Sequence, residues 1–167
     1  HHRCSPESWI PFVPARRRRN LGDAFPLCRF TIAYVSSFGA GCAGSGGLNL
    51  LSATSLPWIG STFTARATGM PANAIAFGVR GLGTASIPLT TILAQAGPGC
   101  MQYVTLDLID FQLPVAGSVT TRIAIPNSMA LVGQSLHHQV APVELDPLGN
   151  INALTSTNAL TITLGAF

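Results

Sequence analysis

Turn-forming residues divide most of the chain into short segments. Seventeen glycines and twelve prolines are spread through 167 residues, among many serines and threonines. The stretch "STFTARAT" (residues 61–68) alternates Phe63, Ala65 and Ala67 with polar side chains, which is the pattern of a half-buried strand. Because glycine and proline at this frequency interrupt helices, the sequence predicts an all-β protein.

Further candidate strands follow one another at intervals of about ten to fifteen residues. They are "LNLLSAT", "AIAFGVRGL", "CMQYVTLDL", "SVTTRIAIP", "SLHHQVAPVEL" and "NALTITLGAF". The segment "DPLGN" between the last two has Asp146, Pro147 and Gly149 at the preferred positions of a type I turn. With no crossover helices, these strands favour an antiparallel β-sandwich, Ig-like or jelly-roll-like, over residues 38–167, preceded by an extended N-terminal arm and connector strand over residues 1–37.

The positive charge of the chain is concentrated in this arm. Residues 1–29 hold six arginines against two carboxylates, a net charge of +4, and the remaining residues hold three arginines against four carboxylates, a net charge of −1. A weakly charged body argues against nucleic acid as a partner. The uncharged run from Phe30 to Ala65 is interrupted throughout by Gly, Ser, Asn and Pro, so we expect no membrane span.

The segment "SSFGAGCAGSGG" (residues 36–47) contains the literal pattern GxGxxG. A dinucleotide loop would need a helix after the glycines and a carboxylate about 20 residues further on. The chain has no acidic residue between Asp23 and Asp107, and Pro57 and Gly60 interrupt the segment that follows. We therefore interpret the glycines as a flexible tether, anchored by Cys42, and expect no cofactor.

Four cysteines, Cys4, Cys28, Cys42 and Cys100, form no CxxC pair and fit no zinc module. An even number in a body poor in ion pairs favours disulfides and an extracellular or cell-surface location. Four cysteines allow three connectivities, among which the sequence alone does not choose. We favour Cys42 with Cys100 and Cys4 with Cys28, since this pairing ties the body to itself and the arm to itself.

The strand before the glycines, "RFTIAYVSS", alternates Phe30, Ile32 and Tyr34 with smaller residues. Such a strand can fold back on its own sheet or reach the edge of a neighbouring copy. The arm before it carries aromatic and basic residues that suit contact with a partner: Trp9, Phe12, Arg16, Arg17, Arg18 and Arg19.

An ordered series of small motifs carries a family resemblance over residues 38–167. The motifs include "FGAGCAGSGG", "LPWIGSTFTARATGMPANAIAFGVRG", "AGPGCMQYV", "IPNSMALVGQSLHHQ" and "TSTNALTITLG". With them the chain resembles a secreted β-sandwich module frequent in large extracellular proteins of planctomycetes and related bacteria. The resemblance implies a secreted, non-catalytic module with a bridge between Cys42 and Cys100.

Residues that could carry chemistry also have structural explanations. His137 and His138 are adjacent on a strand, so they point to opposite faces and do not chelate one ion. Asp107, Asp110, Glu144 and Asp146 could supply oxygen ligands to calcium, but turn formation is the commoner role of such aspartates. No GxSxG elbow is present. We expect neither a metal site nor catalytic residues.

The sequence therefore predicts a non-enzymatic extracellular structural subunit. Its arm or connector strand would dock on another copy and build a filament or surface layer. One alternative is a carbohydrate-binding or adhesion module that uses Trp58 to stack on a sugar. A second alternative is a small capsid protein whose four consecutive arginines contact RNA.

Overall fold

The computed structural model describes residues 31–167, and these residues form short strands joined by turns. The strands are β1 (Tyr34–Phe38), β2 (Ala43–Gly44), β3 (Gly47–Leu48), β4 (Leu50–Ala53), β5 (Thr62–Thr68), β6 (Ala74–Gly81), β7 (Thr84–Pro88), β8 (Met101–Val104), β9 (Leu108–Gln112), β10 (Ser118–Ala124), β11 (Ser135–Leu145), β12 (Ile151–Leu154) and β13 (Ala159–Thr163). Two short 3₁₀ helices, Leu89–Thr91 and Met129–Leu131, complete the secondary structure of these residues. The predicted all-β class is confirmed.

Antiparallel pairing builds two main sheets. The larger sheet has the order β1-β13-β11-β6-β9, with β12 paired to the far half of β11, and the smaller sheet has the order β10-β5-β4. Two hairpins, β2–β3 and β7–β8, lie outside these sheets. The two main sheets pack against each other as an antiparallel β-sandwich, as the sequence predicted.

The core between the sheets consists largely of small side chains around a few large ones. Phe63, Ala65 and Ala67 alternate inward along β5, and all three are at most 1% exposed. They meet Val140 of β11 and Ile162 of β13 across the interface. Because alanine adds little volume, the backbones of the two sheets can approach closely, and Phe63 fills the remaining space.

The β7–β8 hairpin covers the other face of the large sheet. Val104 of β8 packs with Val79 and Ala159 of that sheet, and the partly buried rings of Phe38 and Tyr103 flank them. The pattern of residues 100–108 predicts one strand, but the structure has β8 and β9 with a turn between them. This turn contains no glycine or proline; Asp107 forms it by accepting hydrogen bonds from the Leu82 amide (2.8 Å) and the Thr105 hydroxyl (3.1 Å).

The glycine segment is closely packed, so the interpretation as a flexible tether is wrong. It leads into the β2–β3 hairpin, and a Cβ atom at Gly41 would overlap the carbonyl oxygen of Asn49. A Cβ atom at Gly44 would overlap Oε1 of Glu144, which accepts a hydrogen bond from the Ser45 amide (2.9 Å). The glycines are therefore required for close approach of backbone to backbone and to a buried carboxylate.

Cys42 and Cys100 form a disulfide with a Cα–Cα distance of 5.3 Å. The pairing predicted for the body is confirmed. Cys42 directly precedes the β2–β3 hairpin, which we call the glycine hairpin, and Cys100 directly precedes β8. The bond therefore joins the two hairpins that lie outside the main sheets. Cys4 and Cys28 lie outside the described residues.

We expect Gly41→Ala to lower the free energy of unfolding by about 2 kcal/mol, since the new methyl group must displace the Asn49 carbonyl. Urea unfolding measured beside Ser45→Ala, an exposed side chain in the same segment, provides the comparison. A flexible tether would instead gain a few tenths of a kcal/mol, because alanine restricts the unfolded chain.

Replacing both bridge cysteines, as Cys42→Ser with Cys100→Ser, should lower the free energy of unfolding by about 4 kcal/mol. The estimate follows from the loop that the bond closes, which spans a sequence separation of 58. Denaturant titration with and without reducing agent measures it. The matched variant is Cys4→Ser with Cys28→Ser, in which the body should keep its unfolding midpoint. An equal loss of unfolding free energy in both variants would contradict the bond between Cys42 and Cys100.

Candidate functional site

The connector strand lies in the sheet of its own chain from Tyr34 onward. β1 pairs with β13 in a register that places Tyr34 opposite Thr163. Ala33 is buried against the backbone of Gly165, whereas Ile32 is 74% exposed and Tyr34 is 54% exposed. The apolar face predicted for contact is thus directed to solvent at these two residues, and Phe30 lies outside the described residues. From Tyr34 onward, the connector strand is therefore paired within its own chain.

β1 and β4 border an open groove at one seam of the sandwich. The groove has a volume of about 430 Å³. It is lined by Ser37, Gly39, Ala40, Gly41, Leu48, Leu50, Leu51, Ser52 and Asn158. No lining residue carries a charge, and Leu48 and Leu50 are 53% and 47% exposed. We call this feature the seam groove; its walls suit an extended apolar segment.

The Asn158 side chain holds the seam groove in shape. Its Nδ2 donates to the Leu51 carbonyl oxygen (3.0 Å), and its Oδ1 accepts from the Leu51 amide (2.8 Å). The amide thereby satisfies the backbone of β4 at the point where a further strand would otherwise pair. Within residues 31–167, β1 pairs with a strand on only one side, so its outer edge is the available edge of the groove.

His137 and His138 point to opposite faces of β11, as the strand period predicted. His138 is fully buried and contacts the Val79 carbonyl oxygen through Nδ1 (3.0 Å) and the Thr121 hydroxyl through Nε2 (3.1 Å). A carbonyl only accepts, so Nδ1 carries the proton and Nε2 accepts from Thr121. The neutral imidazole links the two main sheets.

Burial in this network lowers the pKa of His138 to about 4, because the charged form would lose its hydration. Arg80 and Asp110 are the charged groups near it, and their opposing effects are smaller than that of burial. Burial also lowers the pKa of His137, which contacts the Thr161 hydroxyl (3.1 Å) and the ring of Phe38.

The four carboxylates of the body have separate structural partners. Asp146 accepts hydrogen bonds within its own turn, chiefly from Asn150, which lower the pKa of its carboxyl. Asp110 Oδ1 lies 3.0 Å from Arg80 Nη2, without the alignment of a hydrogen bond. Across residues 31–167, no three His, Cys, Asp or Glu side chains converge as a metal site.

Trp58 packs against an aromatic neighbour. Its ring stacks on Phe167 with a centroid distance of 4.0 Å, and its backbone bridges to Gly165. The ring is partly buried, and Phe167 occupies one of its faces. This packing anchors the turn at Trp58, and it leaves less of the ring exposed for stacking on a sugar. Trp9, Phe12 and Arg16 to Arg19 lie outside the described residues.

Two buried amides, Gln139 and Asn158, position the β7–β8 hairpin and the seam groove, and no sequence pattern predicts this role. Gln139 donates to the carbonyl oxygens of Met101 (2.9 Å) and Thr157 (2.8 Å) and accepts from the Tyr103 amide (2.8 Å), which ties the β7–β8 hairpin to the large sheet. Asn158 forms the corresponding hydrogen bonds at the seam groove, with the backbone of Leu51. The only signal in the sequence is an amide side chain inside a strand segment, and it does not reveal the partners.

The buried imidazole predicts a loss of stability in acid. The pKa of His138 is lower in the folded state than in the unfolded state. The stability that the neutral ring contributes is therefore complete above pH 6.5. It is lost as the pH falls toward 4, because protons then bind preferentially to the unfolded chain. The free energy of unfolding should fall by about 3 kcal/mol over this interval. Urea titrations from pH 7 to pH 4 should show a flatter profile for His138→Gln than for His137→Gln.

An NMR titration of the intact chain gives a second measurement of the same property. The His138 ring should stay neutral until the pH approaches 4, and protonation near pH 6.5 would contradict the assigned network.

Comparisons with known proteins do not assign the chain to a family. No protein-family model matches the chain, and no curated protein is significantly similar to it in sequence. Within residues 31–167, no helix has the length and hydropathy needed to span a membrane. The resemblance to secreted planctomycete modules therefore stays a prediction.

Proposed function

We propose that this protein is a non-enzymatic extracellular structural subunit that assembles with copies of itself into a filament or surface layer. The arm of one copy, before Thr31, docks in the seam groove of the next copy. The observation that carries this proposal is the seam groove itself, an uncharged apolar groove beside the edge of β1 that has no partner strand among residues 31–167.

Strand addition explains how such a groove would hold the arm. An extended segment beside β1 would form main-chain hydrogen bonds with its outer edge and place alternate side chains toward Leu48 and Leu50. The segment "WIPFV" (residues 9–13) offers large apolar side chains on both faces of such a strand, with Trp9 on one face and Phe12 on the other. Pro11 lacks an amide proton, which an added edge strand tolerates when that position faces away from the ladder.

The arrangement would propagate because donor and acceptor are different surfaces of one chain. A contact of this kind leaves a free groove at one end of the assembly and a free arm at the other, so growth continues. The cross-linked sandwich suits the role, because each copy would transmit force through a rigid body. A disulfide between Cys42 and Cys100 is compatible with an oxidising, extracellular compartment.

We expect Trp9→Asp with Phe12→Asp in the full chain to abolish assembly, since a carboxylate would have to enter the uncharged groove whichever face of the added strand is turned toward it. Electron microscopy and sedimentation measure the loss. The variant Ser5→Asp with Ser8→Asp adds the same charge to the arm without removing an apolar side chain, and it should assemble.

The groove can be tested from its own side with Leu48→Asp and Leu50→Asp. This variant should also fail to assemble, but an equal mixture with the Trp9 and Phe12 variant should form discrete complexes that contain both chains. Wild-type assembly by either variant alone would reject the proposal. Particles that contain nucleic acid would favour the capsid alternative, and binding to polysaccharide without assembly would favour the adhesion alternative.

A further inference from the structure

The segment over residues 106–115, which we call the apolar edge, exposes six apolar side chains to solvent. Its exposed side chains are Leu106 (54%), Leu108 (54%), Ile109 (50%), Phe111 (73%), Leu113 (70%) and Val115 (76%). β9 forms its centre and is the last strand of the large sheet, so within residues 31–167 its outer edge has no partner strand. Exposed apolar edge strands pair with other chains unless something covers them.

The two ends of the apolar edge carry opposite charge. Asp107 lies exposed just before β9. Beyond β9, Leu113 and Val115 line a groove of about 450 Å³ together with Arg66 and Arg122. Between these ends, the carboxylate of Asp110 is already paired with Arg80.

This distribution favours one orientation of a second copy. Antiparallel pairing of two β9 strands would bring the Asp107 end of each copy to the arginine end of the other. Parallel pairing would bring like charges together at both ends. We infer that β9 pairs antiparallel with β9 of a second copy across a twofold axis, so that the large sheet continues from one copy into the next.

Charge and side-chain direction also favour an axis at Phe111 over an axis at Asp110. Directly opposed residues point to the same face of a sheet and interact, and like charges in that position are destabilising. A twofold axis at Asp110 would oppose the two Asp110 carboxylates. An axis at Phe111 opposes the two Phe111 rings, sets Ile109 against Leu113 and Asp110 against Gln112, and places Asp107 opposite Val115 in the arginine groove. We therefore place the axis at Phe111.

This contact is independent of the arm and the seam groove. It is isologous and closes after two copies, whereas docking of the arm propagates. Together the two contacts would join head-to-tail chains of subunits side by side into pairs.

Four full-length chains test the inference separately from the proposed function. They are the wild type, the arm variant (Trp9→Asp with Phe12→Asp), the edge variant (Ile109→Lys with Phe111→Lys) and the combination of both. The arm variant should sediment as a dimer with twice the 17.4 kDa mass of the chain, and the combination should sediment as a monomer. The edge variant should form single instead of paired filaments. A monomeric arm variant would overturn the inference.

A matched control and a cross-link complete the test. The variant Met129→Lys with Leu148→Lys removes two exposed apolar side chains and adds the same charge elsewhere, and it should leave dimerisation of the arm variant unchanged. Phe111→Cys in the arm variant should form an intermolecular disulfide on mild oxidation, whereas Thr120→Cys should not. If the arm plays no part in assembly, the wild type stops at the dimer, and the edge variant is then a monomer.

Discussion

The hydrogen bonds made by the polar side chains of β11 hold the layers of this molecule together. His138 reaches the small sheet through Thr121, Gln139 reaches the β7–β8 hairpin through Met101 and Tyr103, and Glu144 reaches the glycine hairpin through Ser45. Each of the three is at most 2% exposed. Since a buried polar group without a partner is costly, this strand fixes how every other layer is placed.

The disulfide and the packed glycines then fix the hairpin that borders the seam groove. Gly41 lines the groove, and Cys42 beside it is joined to Cys100. A wall fixed in this way keeps its shape when a partner is absent. The two outer strands of the large sheet, β1 and β9, have no further partner strand among residues 31–167, and their edges differ. The edge of β1 borders an uncharged groove, and the edge of β9 exposes apolar side chains between charged ends.

The sequence predicted those features that depend on near neighbours. The alternation of Phe63, Ala65 and Ala67, the opposite faces of His137 and His138, and the turn at Asp146 all follow from strand period or local hydrogen bonding. The features it missed depend on residues far apart in the chain. The glycine segment packs on Asn49 and Glu144, and the turn at Asp107 uses the Leu82 amide. The seam groove arises only where β1 and β4 come together.

The paired hydrogen bonds of Asn158 with Leu51 have a kinetic consequence. They tie the edge of β4 to the segment before β13, so in the proposed assembly the body would be preorganised for an incoming strand and would need no opening step. Ordering of the incoming segment would then be the main entropic cost of association. If the chain assembles as proposed, the rate of growth should depend on how stiff that segment already is, rather than on the stability of the body that receives it.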